Sequence, residues 1–523
     1  MYGGAPAMNR SAKLFFIPVF CLEAGFFLFV SQHRLIDGDE GFYLLASRLV
    51  LQHRIPYIDF FYTQAPLLPY VYAVWLKLFG ISWFSARVFC AILSAAVGGL
   101  MYEHVSCETG SWVGGTVAVL LFASSSLVFA WYPIVKTFAL AVLCLFAAYI
   151  IVVRNSTSRS IWPAVLAGTL IGLSIDTRSY LVIVAPVFIV WIVRYTILRP
   201  ACFLAGLLVG LIPSIVLFVQ SPDNFLFNNL GYHAMRSGDG LVAEWQNKFM
   251  VALGVFGGSH TGFQFSLITA VGCGLTLAMR KRRSSSLFAL WIAFAIGFVS
   301  LLPTPSSNQY FSIVSPFLIV PAVCAAADYM RTLDASRTRT AHLVCAMLVI
   351  AFIAFGVPSF NEYLFTGYKV PGILDPSDAS NWTLQQVSEV SKAVDHFAGT
   401  GEEVASFWPG YLFAAKADPY PGFENDFGLV VAPRLNQDKR RQYRILSLAD
   451  IETIFRSHAM RFAVVGNQGP HSGGPPSEPC GRIVRGHGYT LVAQVGGTGL
   501  YEYAAGTPSA APHWDKRQAE PDN

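Results

Sequence analysis

RLIDGDEGFYLLASRLVLQHRIPYIDFFYTQAPLLPYVYAVW, residues 34–75, follows directly on the first long apolar run of the chain. It opens with three carboxylates in four residues, Asp37, Asp39 and Glu40, where a membrane-spanning helix would reach the bilayer rim. Carboxylates are costly to desolvate there, and ionisable groups in such places are as a rule functional. The rest of the stretch is too polar to span and too rich in aromatic residues and proline for a free loop. An acidic, aromatic shelf on a membrane surface suits chemistry on a lipid-borne substrate.

Around this stretch the chain is very apolar. Of its 523 residues 54% are hydrophobic and only 13% charged, with a mean hydropathy of +0.49. Soluble domains carry about 25% charged residues, so a polytopic α-helical membrane protein is the expected class. Runs long enough to span lie at 12–30, 83–103, 112–131, 134–153, 161–176, 179–195, 203–220, 259–279, 286–303, 311–328 and 341–357. That gives about eleven transmembrane helices, with 66–79 too short and expected along the surface. Residues 1–358 hold 22 Lys+Arg against 13 Asp+Glu, and residues 359–523 hold 14 against 18. The break near Pro358 divides a transmembrane domain, 1–358, from a water-soluble domain, 359–506. Residues 507–523 are small, proline-containing and charged, and read as a disordered tail. A net charge of +5 is too small to imply nucleic acid.

Arg10, Lys13, Arg154, Arg159, Arg194, Arg199, the run Arg280–Arg283, Arg331, Arg337 and Arg339 fall in alternate loops. The positive-inside rule makes that side cytoplasmic, with the N-terminus inside as an uncleaved signal anchor. An odd number of spans puts the C-terminal domain outside. The same assignment puts Asp37–Glu40, Asp59, Lys136, Asp176, Arg178, the loop 221–258 and the segment 303–310 on the outer face.

The C-terminal part reads as a small α/β domain. Val387, Val390, Val394 and Phe397 recur at helical spacing, and Ser447-Leu-Ala-Asp450 is a capping-box pattern opening IETIFRSHAM. EEVASFW and RFAVVGN read as strands, and TLVAQVGGTGLYEY as two strands around a glycine turn. Most of the nine cysteines fall in apolar runs and Cys480 stands alone in the tail, so no disulfide framework is expected. A zinc site has no CxxC or HExxH pattern to support it. The chain also lacks a G-x-x-x-x-G-K-[ST] loop for ATP-driven transport.

Among the outer-face residues, Asp39 and Glu40 point about 100° apart on a helix. One can face a reaction cavity while the other anchors the loop. Asp37-Gly-Asp39 is also a D-x-D, a spacing that holds a divalent cation on a phosphate; a loop that only positions the helix beginning at Gly41 would use the same residues. Arg178 either snorkels to lipid head groups or clamps a phosphate with its planar fork, with Asp176 as its partner. Lys136 is a second cation at an outer helix junction. The loop carrying Tyr232, His233, Arg236 and Asp239 is long and chemically mixed. Its Arg236 and His233 suit an anionic donor, though a histidine there also serves as a cap. Asn308, Gln309 and Tyr310 suit sugar hydroxyls, although a tyrosine there is also an ordinary interfacial residue.

DGDEGFYLLASRLVLQHRIPYIDFFYTQAPLLPYVYAVWLKLFGISWFSARVF, residues 37–89, resembles the GT-C class of integral-membrane glycosyltransferases. The similarity is to bacterial relatives of the dolichyl-phosphate-mannose protein mannosyltransferases and of the aminoarabinose transferases. It rests on the acidic DE with a nearby tyrosine, the PY-DF stretch, the proline-leucine segment and the arginine opening the next helix. Ala65-Pro66 replaces a proline pair, and Lys136 stands where many relatives have an acidic residue. The resemblance implies a polyprenyl-phosphate-linked sugar donor, a glycan, lipid or protein acceptor of the cell envelope, and inverting hexosyl or pentosyl transfer at a bacterial inner membrane. It implies Asp39 as catalytic carboxylate with Glu40 in support, and Arg178 as a contact to the donor phosphate; Lys136, Arg236 and His233 are candidate contacts to that phosphate by their charge and their place on the outer face. Tyr43, Asp59, Gln64, Gln309 and Tyr310 would contact sugar or acceptor. No cofactor is required; a divalent cation at Asp37 and Asp39 is compatible with the pattern. Two other classes use a similar layout: a transporter or flippase of lipid-linked sugar, and a non-catalytic envelope assembly protein.

Overall fold

The computed structural model describes residues 8–503 except 157, 159, 195, 237–239, 258, 280–283, 304, 374–375 and 467–476. Asp239, Arg159, the run Arg280–Arg283 and the tail 507–523 lie outside the described residues. Helices occupy all eleven apolar runs, but their lengths differ from the expectation. Arg10–His33, Trp83–Thr109, His260–Ala278, Asn308–Met330 and Ala335–Leu364 are long and apolar enough to cross a bilayer. Leu198–Gly210 and Ile212–Gln220 make a sixth span if joined across a 58° bend. Pro213, which lacks an N–H, sits in the first turn after that bend. Trp112–Ser124, Phe138–Arg154, Trp162–Thr177, Ser179–Ile192 and Ser284–Ser300 are shorter apolar helices. By length five of the apolar runs, or six with the bent pair, form full spans, and the others form shorter apolar helices. The break after Ser124 shows how an interruption is tolerated. Gln264 accepts from Ser126 N–H at 2.8 Å and donates to the Ser124 carbonyl at 2.9 Å and to the Phe352 carbonyl at 2.7 Å. A side-chain amide thus satisfies the freed backbone where no water can.

The chain forms two compact units, and both are discontinuous in sequence. One comprises Met1–Ser31, Val88–Val216 and Asp239–Asn361; the other comprises Gln32–Arg87, Leu217–Gly238 and Glu362–Asn523. The boundary expected at 358 is close to one of these breaks. However, the shelf at 32–87 and the loop at 217–238 belong with the C-terminal domain rather than with the helices that flank them.

In the first unit, Trp162–Thr177 and Leu198–Gly210 cross at backbone contact. Each carries a G-x-x-x-G, Gly168/Gly172 and Gly206/Gly210. A Cβ on Gly172 or Gly210 would come within 2.8 Å of the other's Cα, and Gly168 and Gly206 face carbonyls of the opposite helix even more closely. Small residues at this spacing allow the approach that helix association in lipid requires.

In the second unit a five-stranded sheet is built from β1 (Glu403–Ser406), β2 (Asp418–Pro419), β3 (Phe462–Val465), β4 (Thr490–Val495) and β5 (Thr498–Glu502). Its order is β2-β1-β3-β5-β4, with β1 parallel to β2 and β3, and β5 antiparallel to β3 and β4. The β4–β5 turn passes through Gly496 at φ 57°. Leu448–Arg456 opens on the Ser447/Asp450 capping box and presents Ile451 and Phe455 to a core with Phe423, Val484 and Tyr489.

Candidate functional site

The helix carrying the acidic cluster is Gly38–Leu51, starting three residues earlier than Gly41. Asp37 is its N-cap. Its carboxylate accepts from Asp39 N–H at 3.1 Å, while Glu40 reaches back to accept from Asp37 N–H at 2.9 Å, a reciprocal capping box. Glu40 is fully buried and paired twice with Arg87, Nε to Oε2 at 2.9 Å and Nη2 to Oε1 at 2.6 Å. Arg87 Nη1 also donates to the Arg34 carbonyl at 2.5 Å. Glu40 is therefore an anchor, sealed from any substrate, and the catalytic part expected of it is withdrawn. Asp37 serves the cap through Oδ1. Asp39 is the one carboxylate of the three that retains exposure.

Behind this helix lies the second unit's own domain. Trp408 Nε1 donates to the Gly38 carbonyl at 2.8 Å. Gly41 has to be glycine, because a Cβ there would sit 2.7 Å from both Trp408 and the Gly410 nitrogen. Arg48 gathers the carbonyls of Leu412, Ala415 and Ala417 at 2.5–2.8 Å and pairs with Asp418 at 2.8 Å.

In front of it the aromatic shelf folds into a tight turn. Tyr57 sits at φ 70°, a genuine outlier for a bulky residue, yet many contacts hold it there. Its N–H donates to the Phe60 carbonyl, its hydroxyl donates to the Gln64 carbonyl at 2.6 Å, and its carbonyl accepts from Asn224 Nδ2 at 3.0 Å. Strain maintained in this way clusters at binding and catalytic sites. Asp59 closes the turn by accepting from Ile55 N–H at 2.6 Å, so its role here is to shape the shelf. The Gln64 carboxamide makes no hydrogen bond among the described residues and is half-buried.

The loop at 222–236 is helical and contains a π-turn at Phe227–Gly231, a feature often found at functional sites. It places Asn224, Asn228 and His233 on one face. Besides Asn224 on Tyr57, Asn228 accepts from Tyr62 N–H at 3.0 Å and His233 Nε2 donates to the Thr63 carbonyl at 2.8 Å. His233 thus pins the loop to the shelf, a narrower job than the phosphate contact expected of it. Tyr43 and Tyr62 pack beside Phe42. Burial pushes the Tyr62 phenol well above its ordinary range, with Tyr43 and Tyr57 adding to the effect. Its hydroxyl has no partner among the described residues. Burial likewise raises Tyr232, with Arg236 pulling it down and Asp426 and Asp39 pushing it up. Asp39, Tyr232 and Arg236 therefore share one electrostatic neighbourhood. Its carboxylate is an acceptor only and can take a proton from a hydroxyl or amine.

The first unit holds a separate cationic cluster. Arg178, at the end of Trp162–Thr177, lies over the rings of Phe138, Tyr180 and Tyr310 at 4.5, 4.7 and 4.9 Å from their centroids. Its Nη1 donates to Thr137 Oγ1 at 2.5 Å. Lys136 lies 4.7 Å over Trp131 and donates to Gln309 Oε1 at 2.8 Å. Gln309 and Tyr310, expected to meet sugar or acceptor, are here the partners of the two cations. Asp176 does not pair with Arg178: it accepts from Ser214 instead, because its helix turns that face toward Ile212–Gln220. Sequence reasoning noted Arg87 only as part of the resemblance, without its partner, and did not pick out Asn224, Asn228 or Tyr62. A D-x-x-E capping pattern at 37–40 was legible; the Glu40–Arg87 pair, 47 residues apart, left no local signal.

Residues 63–218 match the profile of a family described as dolichyl-phosphate-mannose-protein mannosyltransferase. Two solved structures are similar over nearly the whole chain. Apo ArnT from Cupriavidus metallidurans is 14% identical, with 96% of this chain and 100% of that chain covered and a TM-score of 0.65. ArnT from Cupriavidus metallidurans bound to undecaprenyl phosphate is 14% identical, with 95% and 99% covered and a TM-score of 0.63. Comparison with curated proteins gives no match. The likeness establishes an ArnT-like fold, and the apolar helices make the chain a multi-pass membrane protein.

Proposed function

We propose that the chain is an inverting glycosyltransferase that moves a hexosyl or pentosyl group from a polyprenyl-phosphate donor to a cell-envelope acceptor. The reaction would take place on the outer face of a bacterial inner membrane, with the C-terminal domain extracytoplasmic. The observation that carries this reading is the division of labour among three adjacent carboxylates. Asp37 and Glu40 are built into the cap and the Arg87 pair, and Asp39 is half-buried between them in the first turn of the helix. An ionised carboxylate there is an acceptor that can serve as a general base. The family match over 63–218 and the ArnT-like fold support the donor class.

In this reading the acceptor's oxygen or nitrogen forms a bond to the anomeric carbon and its proton passes to Asp39. The bond from that carbon to the phosphate oxygen breaks, and its electron pair leaves with polyprenyl phosphate. Each unit is assigned a task of its own: Asp39 removes the proton, while Arg178 and Lys136 offset charge on the phosphate. A divalent ion is not part of the scheme, since a phosphate monoester leaves with charge that two cations can meet.

The reading is tested by reconstituting the full chain in nanodiscs with undecaprenyl-phosphate-linked hexoses and pentoses and with envelope glycan, lipid and protein acceptors. Donor should be consumed with release of undecaprenyl phosphate, transfer should survive EDTA, and Arg178→Ala should raise the donor KM. Absence of turnover across the panel would overturn the reading, and loss of turnover on chelation would overturn its metal-free chemistry.

A further inference from the structure

The second unit carries a concentration of positive charge that has no part in the proposed transfer. Residues 359–523 are mildly acidic, yet RLNQDKRRQYR, residues 434–444, sets Arg434, Lys439, Arg440, Arg441 and Arg444 against Asp438 alone. Arg440 braces the domain, pairing with Asp450 at 3.1 Å and donating to the Leu435 carbonyl at 3.0 Å. Arg434, Lys439, Arg441 and Arg444 are exposed. The run is fastened to the loop at 222–236. Tyr443 stacks on Phe227 with centroids 3.7 Å apart, Gln442 donates to Asn224 Oδ1 at 3.3 Å, and Lys439 Nζ donates to the Tyr443 hydroxyl at 3.2 Å. Around Phe227 that loop exposes two leucines, Leu226 at 44% and Leu230 at 64%. Chain continuity puts them near the membrane. The apolar bent pair of helices ends at Gln220, with Val219 71% exposed. Leu226 follows six residues later, five of them in the helix Pro222–Leu226, a path of about 10 Å.

We infer that this lobe, residues 222–230 with 434–444, docks on the bilayer surface and binds anionic phospholipid headgroups there. Apolar tips beside a basic cluster meet both demands of an interfacial contact. Leu226 and Leu230 enter the boundary between headgroups and acyl chains, and the cations meet the phosphates above it. A zwitterionic surface would accommodate the leucines but leave the cations uncompensated, since the run holds one acid. A soluble anion would answer the cations and leave the leucines in water. Charge and apolar exposure together therefore select an anionic lipid. The contact steadies the aromatic shelf, because the same loop carries Asn224 on Tyr57, Asn228 on the Tyr62 N–H and His233 on Thr63. It requires a bilayer but not sugar-transfer chemistry, so it stands apart from the proposed function.

The test uses the full chain, with Leu230 replaced by the photocrosslinker p-benzoylphenylalanine, in nanodiscs of four parts phosphatidylcholine to one part phosphatidylglycerol. Lipid adducts are identified by mass spectrometry. The ratio of phosphatidylglycerol to phosphatidylcholine adducts should exceed the bilayer ratio by at least about fivefold, the factor expected from a single cation at an anionic surface. It should fall to the bilayer ratio in the Lys439→Glu/Arg441→Glu background and decline at high salt. It should persist in Lys392→Glu/Lys416→Glu, which changes net charge equally at two exposed lysines outside the lobe. Unfolding midpoints are recorded for each; if charge reversal lowers the midpoint, Lys439→Gln/Arg441→Gln replaces it and should still lose the enrichment. An absence of lipid adducts at 230, adducts at the bilayer ratio, or enrichment that survives loss of both cations would each overturn the inference. Enrichment abolished by inorganic phosphate, but not by sulfate at equal ionic strength, would assign the cations to a soluble anion and overturn it as well.

Discussion

Glu40 is held from two directions, by Arg87 through both guanidinium edges and by the Asp37 N–H. Its neighbour Asp39 keeps exposure and lies within electrostatic reach of Tyr232. The pair therefore separates stability from chemistry within two residues. Arg87→Met strands a buried carboxylate and should cost about 3–5 kcal/mol, seen as a large fall in the unfolding midpoint in detergent. Glu40→Gln should be milder, since its carboxamide oxygen still accepts from Asp37 N–H. It should lower the midpoint while leaving residual transfer by the folded fraction. A Glu40→Gln protein that is fully stable and inert would reverse the roles assigned here. Helix spacing placed Asp39 and Glu40 on different faces; the resemblance gave Asp39 the catalytic role, but what holds Glu40 was not legible. That is Arg87, which no periodicity connects to residue 40.

At the scale of elements, the apolar runs and the four main strands were legible because they rest on local periodicity and turn residues. The closest helix crossing was not singled out, although its two G-x-x-x-G spacings were present in the sequence. Glycine carries no hydrophobic signal, so the runs at 161–176 and 203–220 read as undifferentiated spans. Gly206→Ala would press a methyl group into the Val165 carbonyl. Overpacking of this kind costs about 1–3 kcal/mol, or more where backbone cannot yield. Gly274→Ala, facing open space, should leave the unfolding midpoint unchanged. Equal midpoints for the two variants would remove the crossing from the account. The π-turn at Phe227–Gly231 was likewise not legible, because its five-residue step between Asn228 and His233 breaks the spacing by which a helix face is read.

For the molecule as a whole, composition marked a boundary at 358 that the contacts divide differently. The charge balance changes there because lipid-facing sequence ends, yet Gly38–Leu51 docks on the domain that begins near 362. Trp408, Gly410 and the carbonyls of Leu412, Ala415 and Ala417 take their partners from residues 38–48. Arg54 also pairs with the buried Glu424 at 2.5 Å, and Phe227 stacks on Tyr443 at 3.7 Å. A fragment of residues 359–506 should therefore lack cooperative unfolding and expose apolar surface. A well-dispersed spectrum with a sharp thermal transition from that fragment would show that the C-terminal domain is self-sufficient.

The most direct measurement of the central claim compares single-turnover sugar transfer by wild type and Asp39→Asn, with donor binding and unfolding midpoint recorded for both. Asp39→Asn should keep its fold and its donor affinity and lose transfer by about 10²–10⁴-fold, the loss expected when a positioned base is removed. Transfer by Asp39→Asn at the wild-type rate would contradict the assignment of Asp39 as the base.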